Sequence, residues 1–133
     1  MNNVLETTQT NSIILTTGMF DLLKDQIRRK KLSLFNEGKL IEQLKSAKQV
    51  LRNQLPDNVV DIHTKVVLTD LDTQETITYT FMAPDKAKQK NKTISILSPV
   101  GLALIGYAEG VEVPWEMPDG IKHYRIEQVS RIK

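Results

Sequence analysis

Apolar positions change their period near Pro56, from helical spacing before it to alternation after it. Phe20, Leu23, Ile27 and Leu34 recur at steps of three, four and seven, with Thr16 or Thr17 placed to cap a helix. Asn36-Glu37-Gly38 reads as a break. Leu40, Leu44, Ala47 and Leu51 then form a second stripe that ends before Pro56, whose ring cannot continue a helix. Two narrow stripes joined by a short turn predict an antiparallel helical hairpin, a short coiled coil, over residues 13–55. Each arm is about 15 residues, roughly 22 Å at 1.5 Å per residue. Two lone helices of this length bury little, so packing on another part of the protein is expected. Residues 1–12, rich in Asn and Thr, are expected to form a flexible start.

After Asp57 the pattern predicts strands. Val60 to Leu68 is the first, and Asp70-Leu71-Asp72-Thr73 supplies turn residues. Thr76–Phe81 alternates with Ile77, Tyr79 and Phe81 on one face. A polar stretch from Ala83 to Lys92 follows, then a strand over Thr93–Leu97. Ser98 and Pro99 predict a helix start, because the hydroxyl accepts from orphan N–H groups and proline at the first helical position loses nothing. That helix should cover Pro99–Ile105 and stop at Gly106, where glycine takes the left-handed conformation readily. Val111, Val113 and Trp115 share a face, so Trp115 is expected in the core. A turn at Pro118-Asp119-Gly120 leads to a final strand over Lys122–Ile132, whose phase slip between Ile126 and Val129 predicts a bulge. The fold class is α+β: the hairpin, then a mostly antiparallel sheet with one short helix over residues 56–133.

Composition narrows the function. The chain has 133 residues, 40% hydrophobic and 26% charged, which suits one domain or a small domain with an appendage. It has no cysteine, which removes disulfide and thiolate chemistry. No apolar run nears the roughly 20 residues of a membrane span, and Met1–Ser12 lacks a secretion signal, so no membrane association and a cytoplasmic location are expected. The formal net charge of +2 is too small to argue for nucleic acid. His63 and His123 lie far apart without a ligand cluster, so no metal site is expected. No phosphate-binding glycine loop and no nucleophile with its base is visible, so no cofactor and no catalytic residue is assigned.

Ile94-Ser95-Ile96, Ser98-Pro99, Ala103-Leu104-x-Gly106, the Gly110 turn, Trp115-Glu116-x-Pro118-x-Gly120 and Tyr124-x-Ile126 together resemble the signature of the GreA/GreB C-terminal domain. Val111 departs from it, since an Asp usually follows that glycine. The resemblance implies an FKBP-like fold and a bacterial RNA polymerase partner. Gre factors carry a long coiled coil, whereas the short arms and Leu55-Pro56-x-x-Val59-Val60 look like the Rnk subgroup, the regulators of nucleoside diphosphate kinase. Nothing in these residues shows a contact with that kinase. By the same resemblance, Met82, Ala83, Pro84 and Asp85 align with the loop that grips the rim helices of the polymerase largest subunit. A prolyl isomerase activity does not follow from an FKBP-like shape.

Gre-type cleavage is metal-assisted, and the family carries an Asp and a Glu three residues apart at the hairpin tip to help hold magnesium. Glu37 stands alone in this chain, and its plain reading is a favourable charge in the first turn of the second helix. Arg28-Arg29-Lys30-Lys31 is the strongest cationic run. It suits either contact with RNA or DNA in the elongation complex and with an acidic channel lining, or simple placement at a helix C-terminus. Lys86, Lys88, Lys90 and Lys92 read as a solvated connector without interleaved aromatics. The expectation is therefore a monomeric, non-enzymatic transcription regulator that docks near the polymerase secondary channel and competes with Gre-type factors without stimulating cleavage. The alternatives are a cleavage factor using Glu37 and a general protein-interaction module, which could dimerise through the hairpins.

Overall fold

The computed structural model describes residues 12–87 and 93–132. Residues 1–11, with most of the expected flexible start, and Lys88, Lys90 and Lys92 of the polar connector lie outside the described residues. The chain divides into two compact units, Met1–Leu55 and Pro56–Lys133.

The first unit runs β1 (Ile14–Thr16), α1 (Thr17–Arg28), α2 (Leu34–Ser46) and β2 (Lys48–Val50), followed by a single 3-10 turn at Arg52–Gln54. Thr16 Oγ1 accepts from the Met19 N–H at 3.2 Å and starts α1. Ser33 Oγ accepts from the Asn36 N–H at 3.1 Å and starts α2. The turn therefore falls at residues 29–33, not at Asn36-Glu37-Gly38, which is helical. The hydroxyl cap outweighs the cost of one exposed helical glycine, about 1 kcal/mol. Lys30, at φ 56, takes the left-handed step out of α1, and Leu34 belongs to the second helix rather than to the first stripe.

The second stripe was expected to reach Leu51, but α2 stops at Ser46. The Lys48 N–H donates to the Ile13 carbonyl at 2.9 Å, and β2 pairs in parallel with β1, Leu15 opposite Gln49. Parallel pairing needs a crossover, which the two helices provide. Ile13, Leu15, Met19, Leu23, Leu40 and Leu44 are buried.

The second unit is a five-stranded sheet in the order β5-β4-β3-β7-β6. Its strands are β3 (Thr64–Asp70), β4 (Glu75–Met82), β5 (Thr93–Ser95), β6 (Glu112–Met117) and β7 (Gly120–Arg131), with α3 (Pro99–Leu104) between β5 and β6. All neighbouring pairs are antiparallel except β4 and β5, which run parallel. β3 begins at Thr64 rather than Val60, because Val60 is engaged elsewhere. It donates to the Tyr107 carbonyl and accepts from the Gly106 N–H, both at 2.9 Å. Asp70 Oδ1 accepts from the Asp72 and Thr73 N–H groups, which closes the expected turn.

The expected bulge is present. Val67 faces Gln128 while Leu68 faces Ile126, leaving Glu127 as the extra residue. Its carboxylate accepts from Thr69 Oγ1 at 2.6 Å and from Arg125 Nε at 3.0 Å. The Thr69 bond first, then Arg125, holds it below the ordinary glutamate range.

Helix α3 is capped by Ser98, whose Oγ accepts from the Gly101 N–H at 3.2 Å, with Pro99 in its first turn. It is one residue shorter than expected, and Gly106 takes φ 86 just beyond it. Val100 to Leu104 are all buried, and so are Val66, Leu68, Phe81, Trp115 and Ile126. A Cβ on Gly101 would run into the carbonyl and Cα of Ile96. Backbone cannot yield as a side-chain end does, so Gly101→Ala should lower stability by about 1–3 kcal/mol, the usual range for overpacking. Thermal unfolding of the variant, beside the harmless Gly38→Ala, checks this.

Candidate functional site

Two surfaces carry the residues singled out from the sequence. The first is the apex of the helical hairpin. Arg29 Nε donates to Asp25 Oδ2 at 2.8 Å, and Arg28 lies 3.7 Å from the other oxygen. The Arg29 hydrogen bond is the main reason that the Asp25 carboxyl sits below its ordinary range. Lys30 Nζ reaches Glu37 Oε2 at 3.3 Å, a bond across the turn that the left-handed step at Lys30 permits. Glu37 lies in the first turn of α2, where the helix dipole favours a carboxylate. Lys31 is exposed and makes no ion pair among the described residues. The basic run is therefore largely engaged with Asp25 and Glu37, a pairing that its contiguous positive charge hides in the sequence.

Among the described residues, no three His, Cys, Asp or Glu side chains gather as a metal cluster. Glu37 is the one carboxylate at the apex and is already held by Lys30, so this donor set does not fit a magnesium held by the hairpin alone. Lys39, two residues after Glu37 in α2, is half-buried, and burial pushes its amine down to about 8.

The second surface is the end of β4. Met82 pairs with Ser95 of β5, and its carbonyl accepts from the Ile96 N–H at 2.9 Å. Ala83 leads into a 3-10 turn at Pro84–Lys86, with Pro84 in its first position. Pro84, Asp85 and Lys86 are exposed. The parallel pairing of β5 with β4 brings the Ser95–Ser98 segment to the same edge. A cleft of about 530 Å³ opens there, lined among others by Tyr79, Ile94, Ser95 and Ser98. Sequence reasoning placed the loop and the Ser-Pro helix start as separate features; only the parallel register joins them. His63 and His123 remain apart: His63 takes φ 62 at the entry to β3, and His123 Nδ1 lies 3.5 Å from Asp72. Trp115 is buried in the core, as expected.

The family profile described as "Transcription elongation factor, GreA/GreB, C-term" matches residues 55–131, the span of the second unit. The chain belongs to the GreA/GreB family. It is 31% identical over 129 residues to a transcription elongation factor GreA of Clostridium botulinum, covering 95% of this chain and 81% of that one. A GreA of Clostridium beijerinckii is 34% identical over 100 residues, which cover 73% of this chain and 62% of the relative. A GreA of Desulfotalea psychrophila is 38% identical over 67 residues, 50% of this chain and 42% of the relative. The matched part thus spans less than two thirds of those last two relatives. The solved structure of a GreA/GreB elongation factor from Nitrosomonas europaea superposes with a TM-score of 0.61 at 28% identity, covering 90% of this chain and 98% of that one.

These matches establish the GreA/GreB family and its mixed α and β fold; they do not single out the Rnk subgroup. They also correct the reading of the chain as non-enzymatic. The relatives bear the GreA name, and the activity that the family resemblance implies is stimulated transcript cleavage. Among the described residues no helix is long and apolar enough to cross a membrane.

The Lys39 amine, lowered from 10.5 to about 8, favours its charged form less when folded than when unfolded. Between those values the unfolded chain binds more protons, so stability should rise as pH increases from about 8 to 10.5. Lys39→Met should flatten that slope in chemical denaturation.

Proposed function

We propose that this chain is a GreA/GreB-type transcription elongation factor that acts on bacterial RNA polymerase near its secondary channel. The observation that carries this reading is the match of the family's C-terminal domain to residues 55–131, together with GreA relatives aligned over 95% of the chain, hairpin included. The sheet unit is the docking module in this reading. Met82, Ala83, Pro84 and Asp85 leave the sheet at one edge, where a proline-fixed turn presents the Asp85 carboxylate to solvent. A fixed loop loses little entropy on binding, which favours it as a contact. Sharing the family's docking surface, the chain competes with other Gre-type factors for the same polymerase. Its place in the cell is where transcription runs.

Binding to core polymerase tests this directly. The full chain should bind at micromolar concentration, and Pro84→Ala with Asp85→Arg should weaken binding roughly tenfold, as for a central contact. No interaction at that concentration removes the proposal.

A second reading concerns the chemistry. The GreA name of the relatives favours stimulated transcript cleavage, with Glu37 as the carboxylate that the hairpin delivers. Stalled elongation complexes should then release short RNA when the protein is added, and Glu37→Gln should suppress that release while leaving polymerase binding intact. Absence of release with the unmodified chain ends this second reading.

A further inference from the structure

Each unit carries one charged patch, and the two are of opposite sign. The first is the apex of the hairpin. Residues 24–39 hold six cations and two carboxylates. Leu34 and Phe35, the first two residues of α2, are 89% and 40% exposed there. Ser33 fixes the backbone beneath them. Its Oγ accepts from the Asn36 N–H, and its carbonyl accepts from the Glu37 N–H at 2.8 Å. A rigid apolar pair binds at less entropic cost than a mobile one.

The second patch is the end of the sheet where β4 and β7 begin. Residues 70–75 and 116–122 hold five carboxylates and one cation. The two turns are tied together there. Leu71 N–H donates to the His123 carbonyl at 2.8 Å, and His123 N–H donates to Asp72 Oδ2 at 3.1 Å. The cation, Lys122, lies 3.8 Å from Asp70 and 4.0 Å from Asp119. Asp70 pairs across the strands with Glu75, so the acids are contiguous. Asp72, Glu75 and Asp119 are exposed. Ile121 is 43% exposed, and Pro118 also stands in solvent.

Acidic side chains alone name no partner. The rest of the chain does, because it holds a patch of equal and opposite excess charge with exposed apolar side chains of its own. Apex against apex, or sheet end against sheet end, sets like charges together and is opposed. Apex against sheet end is attractive, and it covers apolar side chains on both sides.

We propose that the acidic sheet end of one copy takes the basic apex of a second copy, with Leu34 and Phe35 seated beside Ile121 and Pro118. The contact is head-to-tail. Each copy gives its apex to one neighbour and takes the apex of another, so assembly grows until a ring closes. Opposite charges steer the encounter, and the apolar residues exclude water from it. Association of this kind withholds the apex from any other partner, and dilution returns it. The proposal does not rest on the polymerase reading.

Sedimentation velocity of the full chain, treated with nuclease, tests it. Average mass should rise between micromolar and millimolar concentration at low salt. Raising salt from about 0.05 M to about 0.5 M should weaken association roughly tenfold, because exposed charges are screened. Glu75→Lys/Asp119→Lys and Arg28→Glu/Lys31→Glu should each leave a monomer, since each sets like charge against like. All four side chains are exposed, so circular dichroism should be unchanged. An equimolar mixture of these two variants should associate again, as each reversed patch meets the other. Leu34→Ser/Phe35→Ser should weaken association of the otherwise unmodified chain roughly tenfold. A monomer at every concentration overturns the proposal and leaves the polymerase reading standing. Association that the charge-reversed variants keep, that their mixture does not restore, or that appears only before nuclease treatment also overturns it.

Discussion

The close approach of α3 to the backbone of Ile96 is the constraint on which the sheet unit depends. A helix of six residues has little stability of its own. It persists because Ser98 caps it, Pro99 starts it, and its buried face reaches a backbone that would collide with any side chain at Gly101. Once α3 is seated, Gly106 turns the chain back in a left-handed conformation, and Val60 is held between Gly106 and Tyr107. The same seat fixes β5 beside β4, with Ile96 N–H bonded to Met82. One absent methyl group thus sets both the entry to the sheet and the edge from which the Met82–Asp85 loop departs.

The hairpin works by different physics. Its buried set is small, and its ends are tied by a three-residue parallel ladder. Its apex is organised by local bonds: a serine cap, a left-handed lysine, and exposed ion pairs that individually contribute little. What such pairs do is orient. They neutralise much of the cationic run and leave the apolar pair as the distinctive feature of the turn. Family membership supplies the larger frame, a transcription elongation factor fold, within which this apex carries a single acid rather than a pair.

Much of the architecture was legible where one local rule had no competitor. The Thr16 cap, the Ser98-Pro99 helix start, the Asp70 turn, the Glu127 bulge and the buried Trp115 all follow from side-chain chemistry acting within a few residues. Errors came where two rules competed. Ser33 against Gly38 decided the hairpin turn, and the cap won. Leu51 kept a helical phase in sequence yet stands exposed, because pairing of Lys48–Val50 with β1 had already ended the helix. Of the candidate sites, the residues could be named but not assembled.

The chain's order of residues determined by itself where each element starts, which faces are apolar and, through a dispersed signature, which family it resembles. These depend on periodicity, caps and turns, whose range is a handful of neighbours. Only the tertiary structure decided that β5 runs parallel to β4, that Ser95–Ser98 shares an edge with Pro84 and Asp85, and that Leu34 and Phe35 remain in water. Strand register and exposure depend on contacts between residues far apart in the chain, and no local pattern encodes which distant partner arrives.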